Sequence, residues 1–553
     1  MAITGKKPSE WSAATIAAVK AAIGCSSSNG YGYSVDEATH IFTKLGVAGR
    51  VVHDKIRQCV QSDNGTIDYF LDRSNGWDKE NHKPTKRFAS PAQTSGEIDT
   101  VISLNAFTEV VAGQGISNRR GEYALVTNVA DASNITIDEI APVHKVYGAT
   151  TTTTANHLID SVNAFTNVNV GDTVHNRSTD QKARVTVVGS GDLTLDADIF
   201  QNVTPGEFYS VYAPFLANNE EFEIHTAVVG GTDGQVMVYI PKFYFKYAYN
   251  TGVHSWMVND TLESGYEVHP AFVVDGAEVD FITIGAFEAW QDGQGTPKLC
   301  SVVGKLPSNN FTRAQFRAMA QARSTAYSQL LYYQHWAVQV LYITYFENWD
   351  SQSLIGEAMT YFGYGGADYF GIGTINNGNY AVTKTGISLK NGVKTAGEFL
   401  DDNDPSAYMS LFGIENVYGN LLKFVDGINV EQFTKKIYLC NTPADLADDT
   451  NTGYEDMGIT YVPHPNEEGF YPLTLMNTKK GLIPASFGLR ELAVIPNMIT
   501  YCSSESESWR VAFSGGCCVD EAFAGVACLN ADFGSSNADS DVGARLCFSG
   551  VVD

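Results

Sequence analysis

Trp509 to Phe548 reads WRVAFSGGCCVDEAFAGVACLNADFGSSNADSDVGARLCF. Val511 and Phe513 alternate as in a strand and lead into Gly515-Gly516. After Gly543 a second short strand is expected over Ala544–Phe548. The segment between is rich in Gly, Ala, Ser, Asn and Asp, with too few large apolar groups for a core of its own. It is expected as a surface loop pinned by the strands at its ends.

Working upstream, Asn416 to Gly427 reads NVYGNLLKFVDG. Tyr361 to Gly373 is Gly- and Tyr-rich and is expected as a loop. Two helices are expected before it. In Phe311–Arg323, Phe316, Met319, Ala320 and Arg323 share one face, with Asn310 or Thr312 as cap. In Gln329–Phe346, Leu330, Leu331, Val338, Leu341 and Tyr345 do the same. Further back, Val236–Lys246 gives one or two strands edged by Pro241.

The region before that repeats itself. Asn105-Ala106-Phe107-Thr108 returns as Asn163-Ala164-Phe165-Thr166, an offset of 163 minus 105, or 58. At the same offset Asn118-Arg119 returns as Asn176-Arg177, and Thr136-Ile137-Asp138 as Thr194-Leu195-Asp196. This reads as two small β units in tandem, about 96–155 and 156–216. Nothing in them looks catalytic; they suit spacers or extra adhesion patches.

Residues 9–60 read as helical. Ser9 or Ser12 caps an Ala-rich run ending at Ile23-Gly24. Ser34-Val35-Asp36-Glu37 has the form of a capping box for a helix to about Gly46, and another helix is expected over Val52–Val60. Then come a turn at Asn64-Gly65, a strand over Ile67–Leu71 and a polar linker, Asn75–Ser95. The expected division is a helical attachment module at 1–62, a strand and linker at 63–95, the tandem β units at 96–216, and a final domain at 217–553.

The chain has 553 residues, 44% hydrophobic and 18% charged, which suits several globular β-rich domains. Its net charge of −26 argues against a nucleic-acid partner, since phosphate binding needs a Lys/Arg excess. The longest apolar run, Trp336–Phe346, is too short to span a membrane, and Met1–Trp11 has no secretory pattern. Nine cysteines without a C-x-x-C pair suggest reduced thiols from cytoplasmic synthesis.

The frame Trp509-Arg510-Val511, Gly515-Gly516, Ala524-Gly525, Gly543-Ala544-Arg545-Leu546 resembles the C-terminal end of the C-type-lectin fold. The version it looks like is shared by formylglycine-generating enzymes and phage tail proteins, including variable proteins of diversity-generating retroelements. Gly419-Asn420-Leu421-Leu422-Lys423-Phe424 is similar to that family's G-N-x-W-E-W strand, with Leu422, Lys423 and Phe424 as departures. The likeness spans roughly residues 230 to 553, with gaps. It implies an α+β fold: a twisted antiparallel sheet with two flanking helices, preceded by the tandem β units and the helical module. It also implies a bacteriophage virion component, a fibre or tail protein, whose lectin-like domain binds a host-surface glycan or protein. Such a protein docks to other virion proteins through its N-terminal region and is a homotrimer. Alternatives are a head fibre or capsid decoration, or a glycan-degrading enzyme of the particle.

Enzymatic readings are weaker. Formylglycine-generating enzymes hold Cu(I) on two thiols, but Cys517, Cys518 and Cys528 do not map onto that pair. Asp532, Asn537, Asp539 and Asp541 suit a calcium loop or a merely solvated acidic one. His269 and His335 stand alone among apolar neighbours. No enzyme activity, cofactor or metal is therefore expected. The segment 517–544 contains, of Lys, Glu, Gln, Met and Trp, only Glu521, although these five make up about one residue in five of an average protein. They are the residues that NNC codons cannot encode, as retroelement diversification of Asn codons would require. A small-residue loop avoids long side chains as well. On the diversification reading, Cys517, Cys518, Val519, Asp520, Phe523, Val526, Asp532, Asn537, Asp539 and Asp541 form one exposed ligand-binding patch. Trp509, Gly515, Gly516, Gly525, Gly543 and Arg545 are then its fixed scaffold.

Overall fold

A computed structural model describes residues 31–45, 52–71, 86–89, 101–103, 107–120, 122–142, 144–176, 179, 181–200, 206–216, 221–346, 348–360, 384–391, 395–398, 407–464, 471–489, 493, 495 and 508–549. Antiparallel sheets dominate these residues and helices are few, so the fold is β-rich. The expected helix ending at Gly24 and the loop 361–373 lie outside the described residues.

Three larger sheets build the body. One runs Tyr327–Gln329, Leu546–Phe548, Phe281–Gly285, Gln235–Pro241, Arg57–Gln61, Ile67–Phe70. A second runs Glu455–Thr460, Lys436–Leu439, Leu422–Glu431, Trp509–Ser514, Leu529–Asn530, with Val542–Gly543 parallel to the Leu422 strand. The third runs Ile41–Leu45, Tyr31–Asp36, Val253–Asn259, Tyr244–Asn250, Glu267–Val268. Both expected helices form. Helix α1, Arg313–Gln321, starts in a capping box: Thr312 Oγ1 accepts from Gln315 N, and the Gln315 side chain accepts from Thr312 N. Helix α2, Tyr332–Tyr345, packs against the strands Tyr31–Asp36, Val253–Asn259 and Leu422–Glu431. Enclosed by sheets, it is buried all round rather than on one face, which is why Trp336, Ala337, Val340 and Ile343 are apolar too.

The N-terminal helices expected at 34–46 and 52–60 are replaced by strands. Tyr31–Asp36 and Ile41–Leu45 form a hairpin. The Asp36 carboxylate accepts from Ala38 N (2.9 Å) and Thr39 N (3.0 Å), so it closes a turn where a Ser34 cap was expected. Tyr33 and Val35 alternate into the core, and Tyr33 sits opposite Trp256 in the Val253–Asn259 strand. Of 52–60 only His53–Lys55 is helical, a single 3₁₀ turn; Arg57–Gln61 pairs with Gln235–Tyr239. Tyr31–Asp36, Ile41–Leu45, Arg57–Gln61 and Ile67–Phe70 are thus strands of the body, and the expected limit at 217 leaves out part of its sheets. Part of the expected linker, Lys86–Ala89, is a strand as well.

The repeat is structural. Unit 1 has the strand order Lys86–Ala89, Glu221–Val228, Gln114–Asn118, Tyr123–Asp131, Asn134–Ala141, Val101–Ser103. Unit 2 has His144–Ala149, Phe208–Tyr212, Thr173–Asn176, Gln181–Val188, Asp192–Leu195, His157–Ile159, then Thr152–Thr154 at its edge. Core residues match at the offset 58: Phe107 with Phe165, Val110 with Val168, Ile116 with Val174, Ile135 with Leu193, Ile137 with Leu195. The strand with Ala124 and Val126 slips by one to Ala183 and Val185. The units are nested rather than tandem. Glu221–Val228, after unit 2, closes the unit 1 sheet, and it pairs with Gln114–Asn118 as Phe208–Tyr212 pairs with Thr173–Asn176. The expected boundary at 155/156 is corrected accordingly, since His144–Ala149 belongs to unit 2. Sequence similarity marks equivalent positions but not which distant strand completes each sheet.

Candidate functional site

The two sequence blocks behind the resemblance are neighbouring strands. Lys423, Phe424 and Val425 lie opposite Ser514, Phe513 and Ala512. Gly515 has φ +90°, and a Cβ there would meet the Val417 carbonyl oxygen at 2.3 Å, so no larger residue fits. Gly543 lies beside Lys423, and Arg545 is buried beyond it. The Arg545 guanidinium donates to the carbonyls of Gly285 (2.9 Å), Asn416 (2.9 Å) and Glu415, tying two distant segments to the C-terminal strand.

This frame holds the segment 517–541. Cys517 and Cys518 are buried; Cys518 N donates to the Asn420 carbonyl at 3.0 Å. Val526 is buried under Ser351 Oγ and Gln339. These three point into the protein, so they drop out of the expected exposed patch. Cys517 and Val526 belong to the two largest apolar clusters of the body, and Cys518 packs with Met359 and Ala407. Val519, Asp520, Phe523, Asp532, Asn537 and Asp541 are half-buried, and Asp539 is exposed. Phe523 stacks on Tyr471 at 5.1 Å. Val519 and Phe208 of unit 2 both pack on a small cluster of Met359, Ala407 and Cys518, so the inserted unit leans on one flank of the segment.

Electrostatics follow the burial. Burial, then the charges of Asp539 and Asp520, push the Asp541 carboxyl up to about 6. Burial also raises Asp520, whose Oδ2 accepts from Cys517 N at 2.6 Å. A hydrogen bond with Cys518, burial and Asp520 push the Cys517 thiol far up, which disfavours the thiolate that soft metals need. Among the described residues no group of three or more His, Cys, Asp or Glu is arranged to hold a metal ion. The calcium reading therefore finds no ligand set among the described residues. His335 and His269 are both buried, which lowers them to about 4 and about 3.

Sequence reading missed the charges beneath the segment. Lys423 is buried, and its Nζ pairs with buried Glu288 at 3.0 Å and donates to the Gly419 carbonyl at 2.7 Å. Burial pulls Lys423 down to about 8 against the opposing pull of Glu288. Asn420 Nδ2 donates to the same Glu288 at 2.6 Å. Glu288 neutralises buried Lys423; no local signal marks Glu288, which lies 135 positions upstream (423 minus 288). A second cluster links α1 to the sheet: Arg317 forks onto Asp426 at 2.7 and 2.9 Å, and Arg313 reaches Asn429 and Asp448. Burial would raise Asp426, but Arg313 and Arg317 outweigh it and hold it below the usual carboxylate range. These groups brace the frame.

The chain matches no protein-family model and no curated protein.

Proposed function

We propose that this protein is a surface component of a bacteriophage virion, a fibre or tail protein whose lectin-like body presents residues 517–541 to a host-surface glycan or protein. The observation that carries the reading is the pairing of the two motif strands, with Gly515, Gly543 and Arg545 locking the polar segment between them. A segment poor in apolar residues is held on a rigid frame, as a display loop requires. The half-buried and exposed members, Val519, Asp520, Phe523, Asp532, Asn537, Asp539 and Asp541, are the proposed contact surface. Cys517, Cys518 and Val526 support it from below. Unit 2 is a spacer beside it. The particle carries the protein as a homotrimer attached to other virion proteins.

Free full-length protein, added to host cells before phage, is expected to adsorb saturably and to reduce infection. Clearing of cell-surface polysaccharide would instead establish the degrading-enzyme alternative. Neither adsorption nor clearing would leave a decoration protein and overturn the proposal.

A further inference from the structure

A cleft of about 370 Å³ opens in the body, lined by His53, Asp54, Arg57, Gln58, Tyr345, Thr395, Phe412 and Gly413 with Ile56 and Leu71. None of the ten residues of the C-terminal segment lines it. Its volume is in the range of small-ligand sites.

Three observations give it chemistry. The first is aromatic. The rings of His53, Tyr345 and Phe412 lie 5.2 to 5.7 Å from one another, at tilted to edge-on angles. The second is strain. Phe412 and Gly413 form the two-residue turn of the Tyr408–Leu411/Ile414–Glu415 hairpin, with φ of +55° and +89°. The first of these positions normally takes Asn, Asp or Gly. A Phe there holds its ring at the cleft against backbone preference, as ligand clamps do. The third is an unpaired acceptor. Gln58 is 2% exposed; its Nε2 donates to the Gly413 carbonyl at 2.8 Å, while its Oε1 has no hydrogen-bond partner. Buried polar atoms are seldom left so.

The remaining polar groups mix roles. Thr395 Oγ1 accepts from Phe412 N at 3.0 Å, which leaves its hydroxyl proton to donate. Asp54 is exposed at the rim and accepts; Arg57, stacked over Phe70 at 3.8 Å, donates. Their charges cancel, so nothing selects a net ion. Donors, acceptors and apolar ring faces in one small neutral cleft match a ring with hydroxyls on its edge and C–H groups on its faces.

We infer that this cleft binds a neutral sugar ring, stacked on Phe412 and Tyr345 with hydroxyls on Gln58, Thr395, Asp54 and Arg57. It rests on the preceding reading only for the source of the sugar, a host-surface glycan.

The test uses the full chain and saturation-transfer NMR with single neutral hexoses and N-acetylhexosamines, and with choline. At least one sugar is expected to show transfer and choline none. Asp54→Ala, at an exposed position, should weaken that sugar's Kd at least tenfold. Phe412→Gly removes the ring while suiting the backbone, and should abolish transfer without unfolding the protein. Val187→Ala, at an exposed position of unit 2, should leave it unchanged. Transfer to choline alone, to no sugar, or undiminished in Phe412→Gly would overturn the inference. Adsorption to cells is measured in parallel. Phe412→Gly protein that adsorbs normally while wild type binds no sugar sinks the cleft and keeps the display reading. Sugar binding by protein that adsorbs to no cell does the reverse.

Discussion

Units 1 and 2 share a strand order and a core but differ in what they rest on. Unit 1 places Tyr123, Leu125, Ile140, Ala227 and Val229 in the main core of the body. Unit 2 keeps a core of its own, Leu158 to Val211, and shares none of it with the body. It attaches through Phe208 and through Lys182, which pairs with Asp138 of unit 1 at 3.1 Å. Asp138 is also held by Lys384 of the body; burial alone would raise its carboxyl, but the two lysines keep it low. The same small fold thus serves once as a built-in wall and once as an outboard module. What separates the roles is which outward positions turned apolar.

Removal tests this hardest. Joining Pro142 to Ala213 by a short Gly linker deletes unit 2 but keeps Phe215 and Leu216 in the unit 1 core. That variant is expected to fold, with the main thermal transition moved by only a few degrees. Deleting 107–141 strips Gln114–Asn118 from Glu221–Val228 and takes Tyr123, Leu125 and Ile140 out of the main core, and should give insoluble protein. If both deletions behave alike, the division into wall and module is wrong.

Equivalent core substitutions come next. Phe107→Ala and Phe165→Ala each remove a buried ring, at about 3–5 kcal/mol. In calorimetry Phe107→Ala should lower the main transition, whereas Phe165→Ala should split off an early, smaller one. A single shared transition in both would unite the units.

The wall can also be probed by pH. Burial pushes Glu415 up to about 7, although Gly386 N and Ser388 N donate to it. Its charge in turn acts on buried Tyr123 of unit 1. Between about pH 4.5 and 7 the folded chain keeps a proton that the unfolded chain has released. Stability from this group is therefore full at the acid end and falls as pH rises through 7, by about 3 kcal/mol at most. Glu415→Gln should flatten that slope in the main transition and leave the unit 2 transition untouched.

The repeated asparagines give the smallest effect. Asn118 Nδ2 donates to Glu122 and to the Phe215 carbonyl; Asn176 Nδ2 donates to Glu207 (3.1 Å) and to the Ile199 carbonyl (2.6 Å). Replacing either by Ala should cost about 2 kcal/mol, because buried carboxylates lose a donor. Chemical denaturation should assign the Asn118 loss to the main transition and the Asn176 loss to unit 2.

How much of this could be read in the sequence depended on how local the cause was. The helix Arg313–Gln321 was legible because Thr312, Phe316 and Met319 sit at helical spacing behind a cap. The repeat was legible because Phe107 and Phe165 fill the same place in two cores. The nesting was not, since Glu221–Val228 chooses its partner more than a hundred positions back. The N-terminal hairpin was misread because Ser34 and Glu37 fit a capping box. Glu37 instead meets His254 at 3.0 Å and Leu475 N at 2.6 Å, partners no local window contains. The frame around 517–541 was legible in its glycines and Arg545, but not the inward turn of Cys517, Cys518 and Val526. The cleft behind Phe412 draws on three distant segments and left no sequence signal.

The central claim is that adhesion belongs to the body and its C-terminal segment, with unit 2 a spacer beside it. Its most direct test compares adsorption to host cells of labelled full-length protein, the unit 2 deletion and isolated unit 2. Adsorption undiminished by the deletion, and absent from isolated unit 2, is the result expected. Adsorption lost with unit 2 and recovered in the isolated unit would contradict the account.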